Sequence, residues 1–143
     1  MPSLTDLPAR GRVSEKRDRA VVFKPTGTTY ELLLETSAPY DGPMNVPVEA
    51  ILRATARKVY TVPAGGNFVA PIFGPPRTIQ GRVKRMEGNQ MVVHAGTSFV
   101  IELPNRDSAI DLNNGSVTVG SLVNVTAQPG ATLELLGAPT TTD

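Results

Sequence analysis

The 143-residue chain has no cysteine, no tryptophan and a single histidine. Without cysteine there is no disulfide and no thiolate metal site, an absence that fits a reducing compartment and gives the expectation of a cytoplasmic protein. His94, between Val93 and Ala95, cannot anchor a zinc site without further histidines or cysteines. A lone strand histidine reads as a structural or surface residue rather than a catalyst. None of the seven serines stands in a Gly-x-Ser-x-Gly setting. The carboxylates are scattered, with Asp107 and Asp111 a close pair; calcium would want a denser set of oxygens. Gly65-Gly66 has no Lys-Ser/Thr behind it, so it is not a phosphate cradle. No apolar run approaches the ~20 residues that span a membrane, and no apolar core follows a basic start as in a signal peptide. The expectation is a protein that is not an enzyme and takes no metal or cofactor.

What the chain has is punctuation. Glycine and proline number 13 each, a density of breakers that fits many short strands and few long helices. The clearest stretch is 78–136. Over 78–86, Ile79 and Val83 point one way and Gln80, Arg82 and Lys84 the other, the period-two alternation of a half-buried strand. Gly88-Asn89 reads as a hairpin turn, 90–94 as a second strand and 98–103 as a third, ended by Pro104. Over 105–112, Ala109, Ile110 and Leu112 form one edge of a short helix capped by Asn105. Residues 117–126 and 131–136 read as the fourth and fifth strands, with a bulge or bend at Gly120 and a turn at Pro129-Gly130. Ile79, Val83, Val93, Phe99, Ile101, Val123, Val125 and Leu133 are the expected core.

Three strands, a short helix and two strands is the order of an oligonucleotide/oligosaccharide-binding (OB) barrel. The run Val117-Thr118-Val119-Gly120-Ser121-Leu122-Val123-Asn124-Val125 resembles the lead-in to the fourth strand of such barrels: apolar, Gly, polar, x, Val, x, Val. The resemblance covers residues 78–136 and implies a binding surface on the second and third strands and their loops, with no catalytic residue. Another small β-barrel or a β-sandwich accounts for the same strands.

Upstream, 1–18 mixes proline, serine and charge with few apolar residues and reads as a flexible arm. Residues 19–24 and 29–35 form a hairpin around Pro25-Thr26-Gly27-Thr28, and 36–47 is a loop. Residues 48–62 carry both a helical and a period-two pattern. The alternation of Ala50, Leu52, Ala54 and Ala56 and the β-rich end Val59-Tyr60-Thr61-Val62 favour one long strand. Phe68, Val69, Ile72 and Phe73 within 63–76 suggest a loop packed across the barrel. No repeat of fixed period is evident, and the first half lacks a convincing fourth and fifth strand of its own. The organisation expected is therefore mostly β: a flexible arm over 1–18, one OB-like barrel domain with an N-terminal β-hairpin extension over 19–136, and a polar tail over 137–143.

Charge is segregated. Residues 50–86 hold seven basic side chains and no acidic one, whereas 87–143 hold Arg106 against six acids. The basic block is Arg53, Arg57, Lys58, Arg77, Arg82, Lys84 and Arg85, with Arg53 and Arg57 expected on one strand face and Arg82 and Lys84 on another. A solvated sheet face explains it simply. A surface for single-stranded nucleic acid or another polyanion explains it as function, with Tyr60, Phe68 and Phe73 as rings available for stacking. Pairing of the basic block with the acidic half of a second copy would make the chain a homo-oligomer.

Overall fold

The computed structural model describes residues 8–103, 110–111 and 117–137. Among these there is no helix. The strands are β1 (Ala9–Lys16), β2 (Ala20–Pro25), β3 (Glu31–Glu35), β4 (Val48–Thr61), β5 (Phe68–Ala70), β6 (Phe73–Gly74), β7 (Thr78–Glu87), β8 (Gln90–His94), β9 (Ser98–Glu102), β10 (Ile110–Asp111), β11 (Leu122–Ala127) and β12 (Thr132–Gly137). All belong to one sheet.

The alternating runs form strands because one side of each buries apolar groups. All eight residues of the expected core are buried, Ile79, Val93, Phe99, Ile101, Val123 and Val125 completely. They join Val13, Phe23, Leu32, Leu34 and Leu52 in one continuous cluster. The 48–61 stretch is a strand throughout, as its alternation indicated, because both its edges take ladder partners.

Several expectations are corrected. From Ala9 onward, the arm expected over 1–18 is strand: Ala9 and Val13 are buried, and β1 is hydrogen-bonded to β2 and β4. Residues 1–7 lie outside the described residues, as do 105–109 and 112 of the expected short helix, but Ile110–Asp111 pair in parallel with Val59 and Tyr60 of β4. The fourth strand is also shorter than expected, because Val119 and Gly120 form a turn, with Gly120 at φ 96°.

Five strands, β4–β11–β7–β8–β9, close into a ring, with β9 returning in parallel to residues 52–55 of β4. The expected fifth strand, 131–136, is not a member of it. β12 runs antiparallel along residues 49–53 of β4 and meets β3 in parallel at Thr132 and Glu35. It thereby closes a second circuit, β1–β2–β3–β12–β4. β4 serves both.

The two circuits repeat one pairing scheme. Val13 faces Phe23 before a one-residue bulge and Glu15 faces Val22 after it; Val83 faces Val93 before a bulge and Arg85 faces Val92 after it. The Asn45 amide (φ 59°) donates to the Val13 carbonyl at 2.8 Å, and the Gly120 amide donates to the Val83 carbonyl at 2.8 Å. Gly11 and Gly81, each preceding Arg-Val, stand where a Cβ would strike the carbonyl oxygen of Lys24 and of His94 respectively. The cross-strand pair Arg10–Glu49 occupies the place of Gln80–Asn124. Each half thus supplies the first four strands of its own circuit and the fifth strand of the other.

Candidate functional site

The outward face of β4, β11 and β7 is fixed by register. Lys58 lies opposite Thr126, and Thr126 opposite Thr78; Tyr60 opposite Asn124, Asn124 opposite Gln80, and Gln80 opposite Phe68; Leu122 opposite Arg82, and Arg82 opposite His94. Directly opposed residues share a face, so Lys58, Tyr60, Arg82 and His94 look out on the same side. The Lys58 ammonium sits 5.8 Å from the centroid of the Tyr60 ring, within the range of a cation–π contact. Arg82 is exposed and its Nη1 donates to the Gly120 carbonyl at 3.0 Å, which holds the guanidinium on the sheet. Between β4 and β7 these rows hold no carboxylate; on the other edge of β4, Asp111 of β10 is paired with Tyr60.

The middle of the face is polar and dry. Gln80 and Asn124 are both buried. Asn124 Nδ2 donates to Gln80 Oε1 at 3.0 Å, and Gln80 Nε2 donates to the Gly66 carbonyl at 2.9 Å. The burial comes from the 63–70 segment, which brings β5 against β7. That segment does pack across the sheet, as its apolar residues suggested, and it leaves Phe68 exposed at 38%.

The basic block divides. Lys58, Tyr60 and Arg82 come together, and Lys84 joins them as the extra residue of the β7 bulge, exposed and near His94. Burial first, and then the charge of Lys84, push the His94 pKa below the ordinary 6.5. Arg57 keeps the outward side of Arg53 and Thr55, with Ala54 and Ala56 buried between them. It is the extra residue where Thr126 pairs with Lys58 and Ala127 with Ala56, so the alternation shifts after it and Arg57 and Lys58 are both exposed. Arg53 lies farther along β4 and pairs with Glu134 of its own chain at 3.4 Å. Arg77 is exposed just before β7, where its backbone bonds to Ala70 and Ala127. Arg85 is half-buried opposite Val92. Phe73 is 59% exposed but sits on the other circuit, beside Glu31 of β3.

Sequence reasoning placed Gln80 on the outward face with Arg82 but did not pair it with Asn124, since that pairing depends on β11 adjoining β7. Among the described residues, no group of three His, Cys, Asp or Glu side chains converges as metal ligands would, and no helix is long and apolar enough to cross a membrane. Comparison with protein families, curated proteins and solved structures finds no match.

Proposed function

We propose that the face carrying Lys58, Tyr60, Arg82 and Lys84 binds single-stranded nucleic acid through its phosphates, and that the protein is a non-enzymatic, sequence-tolerant binding module. The observation that carries this reading is the register itself. It brings Lys58 beside the Tyr60 ring and sets Arg82 on the same sheet face, with no carboxylate in the rows between β4 and β7 and one, Asp111, paired with Tyr60 on the outer edge. Such a surface attracts a polyanion without reading bases, and an accessible ring can stack one. The fold adds support. A ring of five strands is compatible with the partly open, five-stranded Greek-key barrels that include the OB class. In that description β7, β8 and β9 are the first three strands, β11 the fourth, and β4 takes the fifth place. Assembly through opposed charge blocks is the weaker reading, because Arg53 and Glu134 already satisfy one another within the chain.

Fluorescence anisotropy with a labelled oligothymidine across a salt series tests the proposal. Binding should weaken with salt, and the slope of log affinity on log salt should fall by about 0.7 for each phosphate that a substitution leaves without its cation. The double change Arg82→Glu and Lys84→Glu should weaken all sequences alike, while Arg12→Glu, on the other circuit, should not. No binding at low salt, or a slope indifferent to the double change, overturns the reading.

A further inference from the structure

Where the two circuits meet, the turn over residues 26–29 lies against the turn over 95–97. Tyr30 Oη donates to the Ala95 carbonyl at 3.0 Å. A Cβ on Gly96 would come within 3.0 Å of Tyr30 Oη and 3.3 Å of Thr28 Cγ2, so the approach leaves no room for a side chain. Beside this junction is a cleft of about 270 Å³ whose polar lining is Arg10, Thr26, His94, Thr97 and Ser98. A guanidinium, an imidazole and three hydroxyls can all donate hydrogen bonds, and no carboxylate lines the cleft.

Arg10 Nε is anchored to Glu49 Oε2 at 3.0 Å, which orients a guanidinium whose side chain stays 72% exposed beside the cleft. The register Arg82–His94–Ser98 sets the cleft at the edge of the basic face. The charged groups around His94 are Arg82 and Lys84 from β7 and Arg10 from β1, with Ser98 opposite on β9.

We propose that this cleft is a site for a phosphate group, whose oxygens accept from the Arg10 Nη groups, the Ser98, Thr97 and Thr26 hydroxyls and the His94 ring. The site goes beyond the open face, since it takes one discrete anion rather than tracking a strand. A free phosphate and the 5′-phosphate of an oligonucleotide share the chemistry. His94, held below its ordinary pKa by burial and then by Lys84, is neutral at pH 7 when the cleft is empty. A bound dianion favours the imidazolium and gives it a second N–H donor. Occupancy of the cleft therefore raises the His94 pKa.

His94 is the only histidine, so its ring gives one set of NMR signals and a direct readout on the intact protein. Its pH titration is followed in chloride and in inorganic phosphate at equal ionic strength. Phosphate should raise the His94 pKa by about one unit, equivalent to roughly tenfold tighter binding to the protonated form. Arg10→Gln and Ser98→Ala should each weaken phosphate binding, Arg10→Gln by tenfold or more. Competition against inorganic phosphate by oligonucleotides with and without a 5′-phosphate identifies the source: displacement by the phosphorylated strand alone assigns the cleft to a nucleic-acid end, and displacement by neither assigns it to a small phosphate compound. Lys58→Glu, on the open face, should weaken oligonucleotide binding and leave the inorganic-phosphate titration unchanged, which separates failure of the face from failure of the cleft. A His94 pKa equal in phosphate and chloride, or an Arg10→Gln protein that binds phosphate like the parent, overturns the proposal.

Discussion

Gly11 and Gly81 show how much one missing methyl group can determine. Neither needs glycine for its backbone angles; each needs it because the next strand's carbonyl occupies the place of a Cβ. A backbone carbonyl held in a ladder cannot swing aside as the end of a long side chain can. Gly81→Ala should therefore cost about 1–3 kcal/mol, the range for overpacking, and Gly11→Ala a similar amount, measured by urea unfolding. Ala at Gly66, where nothing lies within 4 Å, should leave stability nearly unchanged. The shared Gly-Arg-Val was open to inspection in the sequence, but its meaning was not. A repeat is found by constant spacing, and the hairpin loops and turns that follow the two copies differ in length: residues 17–19 against Gly88-Asn89, and 26–30 against 95–97.

At the scale of the strand, alternation made most elements legible and partner choice did not. β7, β9 and β4 follow from residues that turn alternately in and out, and β8 from a short apolar run, Met91-Val92-Val93, buried on both faces. β1 carries the same pattern written in Ala9, Gly11 and Val13, residues so small that charge dominates the reading. Where β12 goes is not written locally, because Gln128–Gly130 can either reverse the chain beside β11 or let it run on along β4. Bulges were equally hidden: one extra residue at Arg57 or Lys84 leaves no visible mark on the sequence, yet it decides which cations share a face. The equivalent cross-strand pairs turn this into an experiment. Asn124→Ala leaves the buried Gln80 short of a partner and should cost about 1–3 kcal/mol. Glu49→Ala, at the matching place in β4, removes an ion pair whose arginine is 72% exposed and should cost less than about 1 kcal/mol. Urea unfolding of the two variants side by side gives the ratio, which burial by the 63–70 segment sets.

For the molecule as a whole, the shared strand removes any line along which the chain could be divided into independent parts. β4 holds β1 and β12 at one end and β9 and β11 at the other, and the apolar cluster runs through both circuits. The basic face and the anion cleft both depend on this arrangement, since the face needs β4 beside β11 and the cleft needs β1 beside the β8–β9 turn. Gly65, Gly66 and Asn67 are exposed between the halves. Cutting the chain there yields two fragments, each of which holds the strand the other requires: β4 on the first and β12 on the second. They should co-elute on size exclusion after proteolysis and part only in denaturant; fragments that separate in native buffer would contradict the exchange. Produced from separate genes, such fragments should be inert alone and fold only on meeting, so this small β protein amounts to a lock and key written in one reading frame, able to report when two other proteins fused to its halves come together.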